Sequence, residues 1–219
     1  MKRILPVIIF FGSLQALELK EHEKWWQTQC TQQNKLNQFA GWVGNEKEPS
    51  RMYIRKHILE KNYKSVLDIP CGLCVDFLSL KQSNPEIDYL GVDITTLFVD
   101  RAINQNIPAK LGRIQEIPVL DSSFDVVYSR HILEHLDTYR QAIPELVRVA
   151  KKEVLIVFFM KPVPTEYDAI LIGNVDGCPI FHNQYSKSKL EAFLNTLPKV
   201  KTFSWFDVNA NECVLHIIL

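Results

Sequence analysis

A chain of 219 residues with 47% hydrophobic and 23% charged residues holds enough apolar material for one domain-sized core. Its 25 lysines and arginines balance 25 aspartates and glutamates, which argues against a general nucleic-acid binder with a basic face and leaves room only for a local basic groove. The five cysteines, Cys30, Cys71, Cys74, Cys178 and Cys213, are odd in number and scattered, so they do not read as a secreted disulfide framework.

Along the chain, Lys2 and Arg3 precede an apolar run from Ile4 to Phe11, followed by Gly12, Ser13 and Ala16. Residues 1–16 thus have the outline of a secretory signal, although Leu14 stands where a small residue is preferred. The other reading is a strand or helix tucked against the domain. The run is too short to cross a bilayer, which takes about 20 apolar residues. Residues 17–63 read as a helical cap. Within it, residues 18–45 are polar with Trp25, Trp26, Phe39 and Trp42 interspersed, which predicts one amphipathic helix and then a loop from Gly41 to Pro49. Ser50 is expected to cap a second helix that reaches about Lys61.

From residue 64 to 219 the pattern becomes an alternation of strands and helices. Nearly continuous apolar runs at Ser65–Ile69, Tyr89–Val92, Phe124–Tyr128 and Val154–Phe159 read as strands covered on both faces. Helices are predicted near Val75–Gln82, Thr96–Asn104, Thr138–Val149 and Lys187–Leu197. This alternation means a doubly wound α/β domain around a mostly parallel sheet. At the end, Val200–Val208 and Glu212–Leu219 flank Asn209-Ala210-Asn211, so an antiparallel C-terminal hairpin strand is expected.

The segment richest in chemistry is Val66-Leu67-Asp68-Ile69-Pro70-Cys71-Gly72-Leu73-Cys74. Here an apolar strand ends in an acid and a tight turn opens a helix, the place where open α/β sheets bind ligands. Gly72 lets a ligand approach the backbone, and Asp68 can accept hydrogen bonds from a cationic or N–H-bearing group. A second strand ends in Gly91-Val92-Asp93, and an acid about 20 positions after a glycine turn can accept both hydroxyls of a ribose. The plainer reading of Asp93 is a cap for the next helix. A third stretch runs Gln115-Glu116-Ile117-Pro118, then Asp121-Ser122-Ser123-Phe124-Asp125-Val126-Val127, and leads into His131-Ile132-Leu133-Glu134-His135-Leu136.

In their order and spacing, these four motifs strongly resemble the S-adenosylmethionine-dependent methyltransferases, especially the ubiquinone- and menaquinone-biosynthesis-like branch (methyltransferase type 11). The resemblance covers residues 64 to 160. It implies a Rossmann-like sheet of seven strands with S-adenosylmethionine as cofactor. Asp68, with Pro70 and the Cys71–Gly72 backbone, would hold the methionine end. Asp93 would take the ribose hydroxyls, with Ile94 beside the adenine. Ile114 and Gln115 would meet the adenine edge, while Ser129, Arg130 and His131 would face the methyl group. Two departures stand out. The family's second loop glycine is Cys74 here, whose side chain could crowd the cofactor. Arg113 replaces the acid that usually accepts the adenine amino group.

Methyl transfer from a sulfonium needs mainly alignment, with a general base only where the acceptor carries a proton. His131 and His135 are the candidates, set at i and i+4 as if on one helix face, with His131 nearer the expected methyl group and His135 expected in a structural role. Glu134 reads as a solvated or packing residue. Residues 161–186, with His182 and Tyr185, suit a cover for a polar small-molecule acceptor. Trp25, Trp26 and Trp42 suit either a lid or a helical core. Two other functions stay open: a nucleoside-binding module without activity, motivated by Cys74 and Arg113, and a thiol–disulfide oxidoreductase using Cys71 and Cys74 at a helix start. Without a second C-x-x-C or paired histidines, no metal site is expected. The cofactor favours a cytoplasmic protein and the signal-like segment a secreted or periplasmic one.

Overall fold

The computed structural model describes residues 20–30, 44–175 and 178–219. The signal-like segment, Phe39 and Trp42 lie outside them. The described elements are α1 (Glu21–Cys30), α2 (Pro49–Glu60), β1 (Ser65–Asp68), α3 (Val75–Ser83), β2 (Asp88–Asp93), α4 (Thr96–Asn104) and β3 (Ala109–Leu111). They continue with β4 (Phe124–Arg130), a 3-10 turn (Leu133–His135), α5 (Tyr139–Val149), β5 (Ala150–Phe158), β6 (Ile172–Val175), β7 (Cys178–Phe181), α6 (Lys187–Leu194), β8 (Thr202–Asp207) and β9 (Cys213–Ile218).

Seven strands form one sheet in the order β3-β2-β1-β4-β5-β9-β8. The strands β1 to β5 run parallel, with Leu67 beside Leu90 on one side and Val127 on the other. The chain leaves β1 toward β2 and later returns to β4 on its other side, so the switch point lies between β1 and β4. β9 enters antiparallel to β5, with His216 opposite Leu155, and β8 pairs antiparallel to β9. The C-terminal turn closes as expected, with Asn209 Oδ1 accepting from the amides of Asn211 and Glu212.

Strand alternation divides the core into two layers. On one face Leu67, Val127, Ile156 and Leu215 pack against Tyr139, Ile143 and Leu146 of α5. On the other, Val66, Val126, Leu155 and Val214 meet Ile54 and Ile58 of α2 and Leu80 of α3. Burying each of these aliphatic side chains contributes about 1.5–3 kcal/mol. Thr138 caps α5 by accepting from the Arg140 amide at 3.1 Å.

Several expectations need correction. Ser50 lies inside α2 and does not cap it: its hydroxyl accepts from Arg130 Nε at 3.0 Å. α6 stops at Leu194. Sequence reading missed β3 and a separate two-stranded hairpin, β6–β7, between β5 and α6. His131 and His135 do not share a helix, because His131 has φ 55° and only one 3-10 turn follows.

Candidate active site

The loop after β1 is shaped by two left-handed residues, Gly72 and Cys74, each with φ 51°. Glycine takes this conformation freely, whereas a residue with a Cβ is strained there, which accounts for a glycine preference at position 74. The Cys74 side chain is buried and turned into the core beside Cys71. Both sulfurs fill the space over Gly91, where a Cβ would sit 2.8 Å from Cys71 Sγ and 3.1 Å from Cys74 Sγ. Cys74 therefore does not occupy the ligand side of the loop. The same packing removes support from the dithiol reading. A reactive thiol is exposed with a depressed pKa, but Cys71 is buried and held well above its usual range by hydrogen bonding to Cys74 and by burial.

Asp93 closes the loop onto β2. Its Oδ2 accepts from the Gly72 amide and its Oδ1 from the Thr95 amide, both at 2.8 Å. Asp93 thus ties the two loops together without capping the next helix, whose N-cap position is Thr95. An ionised carboxylate offers about four lone-pair positions, so acceptor capacity remains for a ribose. Burial raises its pKa, and the amides of Thr95 and Gly72 oppose that shift.

A cavity opens at the carboxyl ends of the strands, walled by Ile69, Pro70, Asp93, Ile94, Ile114 and Gln115. All but Ile69 are residues expected to touch the cofactor. Glu23 and Trp26 of α1 close it from above, and Ile132 and His135 form its far side. With α1 in place its volume is about 40 Å³. Gln27 anchors α1 there, bonding the Ile94 carbonyl and the Thr96 amide. The Gln115 amide nitrogen is buried without a hydrogen-bond partner. Arg113 is held by Glu23, Nη2 to Oε2 at 2.8 Å. An acid therefore stands beside Arg113, but it comes from α1 rather than from the loop after β3.

Other expected site residues lie elsewhere. Asp68 does not wall the cavity; it is buried and accepts from Tyr89 Oη at 2.7 Å. Burial and the neighbouring Asp76 raise its pKa to about 7. Ser129 is fully buried within β4. Arg130 is held by Ser50, with Glu48 at 3.7 Å and Glu212 at 4.0 Å. His131 is likewise tied to Glu212, Nε2 to Oε1 at 2.6 Å, with its pKa lowered mainly by burial. Glu212 was missed because only the β8–β9 turn carries it across to β4.

His135, expected to be structural, is the histidine on the cavity wall. Its ring meets Trp26, Phe159 and His182 at centroid distances of 5.2, 5.2 and 5.1 Å. Nδ1 lies 2.8 Å from the Phe181 carbonyl, which can only accept, so Nδ1 carries the proton and Nε2 keeps a lone pair. Burial lowers its pKa to about 4, so the ring is neutral at pH 7. Glu134 is not solvated: it is fully buried, accepts from the Phe159 amide at 2.7 Å, and burial raises its pKa to about 8.

A family model described as a methyltransferase domain matches residues 67–158. An uncharacterised methyltransferase of Schizosaccharomyces pombe is 29% identical over 118 residues, covering 48% of this chain and 41% of that protein. Ajmaline N-methyltransferase of Rauvolfia serpentina is 27% identical over 106 residues, covering 45% and 36%. The match thus spans less than half the length of these curated relatives. Among solved structures, a Pyrococcus horikoshii protein superposes with TM-score 0.60 at 18% identity over 80% of this chain and 92% of that one. Magnesium protoporphyrin IX methyltransferase of Synechocystis, with S-adenosylmethionine bound, superposes with TM-score 0.62 at 10% identity over 92% and 98%. At such identities these structures establish the fold. The family match is to the domain at large and does not single out the ubiquinone- and menaquinone-related branch.

The residues present fit S-adenosylmethionine: a carboxylate with spare acceptor positions, an apolar slot of isoleucines, and a buried amide nitrogen awaiting a partner. Of the two departures that favoured a nucleoside-binding module without activity, Cys74 is met by its packing into the core, and the Arg113 guanidinium is paired with Glu23 of α1. With motifs and sheet order in agreement, residues 67–158 match a methyltransferase domain within a fold shared with S-adenosylmethionine-dependent methyltransferases.

Proposed function

We propose that this protein methylates a small-molecule acceptor bearing an O–H or N–H group, with Asp93 and its neighbours holding the cofactor and His135 meeting the acceptor. Bound S-adenosylmethionine supplies a methyl group on an activated sulfonium leaving group. The protein's task is then alignment and removal of one proton. Asp93 accepts hydroxyl hydrogen bonds, and Ile94 and Ile114 offer apolar faces to a base. His135 Nε2 can take the acceptor's proton, since the Phe181 carbonyl fixes the other nitrogen as the donor. Trp26 and Phe159 around that ring exclude water and favour an acceptor with an apolar body.

The observation that carries this reading is the shared cavity, which places Asp93, Gln115 and His135 around one space at the strand ends. A cavity overhung by α1 suits a small acceptor better than a macromolecule. The N-methyltransferase named among the relatives, whose own acceptor is ajmaline, is consistent with a nitrogen acceptor. Calorimetric titration with S-adenosylmethionine and S-adenosylhomocysteine tests the cofactor half. Both should bind, and Asp93→Ala should weaken them about tenfold or more, since hydrogen bonds to charged groups are worth about 1.5–3 kcal/mol. Unchanged affinity in that variant would remove Asp93 from the site, and no binding to folded wild-type protein would overturn the function.

A further inference from the structure

At the opposite, amino-terminal end of the parallel strands, three metal-ligating side chains from three elements converge. His57 comes from α2, Glu153 from β5 and His216 from β9. His57 Nε2 lies 2.8 Å from Glu153 Oε2, and His216 Nδ1 lies 2.9 Å from Glu153 Oε1. The ligating atoms all fall within 4.8 Å of one another. Glu153 stands five residues before Phe158, about 17 Å along β5 from the methyl-transfer end.

We propose that His57, Glu153 and His216 bind one divalent transition-metal ion, zinc by preference. Nitrogen and carboxylate ligands in this number match zinc, with a fourth position left for water. Metal–ligand bonds of about 2.0–2.1 Å around a tetrahedral ion set ligands roughly 3.4 Å apart, so the two short contacts need open by only about half an ångström. The surrounding groups are those that orient metal ligands. Tyr53 Oη lies 2.9 Å from His216 Nε2, the ring nitrogen facing away from the cluster, and Tyr63 Oη donates to Glu153 Oε2 at 2.6 Å. The ion-pair partners of the buried Glu153 carboxylate are the two imidazoles, so a cation among them would neutralise a charge that burial makes costly. His57 and His216 retain 15% and 10% side-chain exposure, which gives an ion a way in. From sequence the site is invisible, because positions 57, 153 and 216 form no ligand-spacing motif.

Such an ion would pin α2 to the antiparallel edge of the sheet. The test uses the full chain stripped with chelator and titrated with Zn²⁺, and with Co²⁺ for its visible spectrum. One ion per chain, a tetrahedral-type cobalt spectrum with imidazole ligation, and a zinc-dependent rise in melting temperature are expected. Glu153→Gln and His57→Ala, checked for folding by circular dichroism, should each abolish the spectrum. Tyr53→Phe should keep binding but weaken it about 10- to 100-fold, as outer-sphere losses do. Absence of zinc uptake by folded wild-type protein would overturn the proposal. Uptake unchanged in both ligand variants would overturn it equally, by placing the ion elsewhere.

Discussion

At His135 a backbone carbonyl chooses the tautomer and burial chooses the charge. Both choices have measurable outcomes. His135→Gln should lower kcat by about 10²-fold or more while leaving cofactor affinity within a few-fold, the scale of losing a general base. Because the wild-type ring titrates at about 4, kcat should show no inflection from this group between pH 6 and 8. A lost inflection near 6 in the variant would instead make the ring an ordinary titrating base. Stability moves with the same group. Its folded pKa lies below the unfolded value near 6.5, so the unfolded chain takes up a proton that the folded chain refuses. Stability therefore falls as pH drops from about 6.5 toward 4, by up to about 3 kcal/mol. Glu134, raised to about 8, acts in the opposite sense, with its contribution fully present below about 4.5 and lost as pH rises toward 8. Urea melts of wild type and His135→Gln at pH 7 and pH 4.5 separate the two, since only the histidine contribution disappears in the variant.

Among elements, the most constrained junction is that of the β1 loop with β2. Gly91 lies under the two sulfurs of the loop, and a methyl group there would overlap both the Cβ and the Sγ of Cys71. Overpacking of this kind costs about 1–3 kcal/mol. It also pushes Cys71 and Gly72 out of place, so Gly91→Ala should lower both melting temperature and cofactor affinity. Adding Cys71→Ala should recover part of each by making room. If Gly91→Ala binds S-adenosylhomocysteine like wild type, the loop does not transmit its packing to the site. The ease of reading these elements in the sequence follows their burial. β1, β2, β4 and β5 are continuous apolar runs because helices cover both their faces, and they could be placed to within a few residues. β3 is a three-residue strand after Pro108, only partly buried, with no pattern to announce it. The β6–β7 hairpin starts at Ile172, which with Ile170 and Leu171 is exposed, so hydrophobicity there does not mark a core. The motif residues of the cofactor loop were legible because they are contiguous. The link between His131 and Glu212, and that between Arg113 and Glu23, depend on segments some 80 to 90 residues apart and exist only once the sheet has formed.

For the molecule as a whole, the narrow cavity sets a condition on binding. A space of about 40 Å³ does not hold a nucleoside, whereas pockets for ligands of that class run to several hundred Å³. Outward movement of α1 on cofactor entry is therefore the expected outcome, and it would break the Glu23–Arg113 and Gln27–Ile94 contacts and the Lys20–Asp137 pair at 2.9 Å. Amide hydrogen exchange over residues 20–30 should therefore change on addition of S-adenosylhomocysteine, and Trp26→Ala should speed its association several-fold. Exchange and association rate both insensitive to these changes would mean the ligand enters without moving α1.

α1 also packs on β7, so the N-terminal helix and the mid-chain hairpin form one wall of the cavity together. Neither carries any of the motifs that identify the family. Inheritance of the methyl donor and choice of the recipient are thus written in separate stretches of chain, and the second can drift while the first stays put. Relatives that differ in what they methylate should differ jointly in these two segments, and transplanting one without the other would leave a wall whose halves no longer meet.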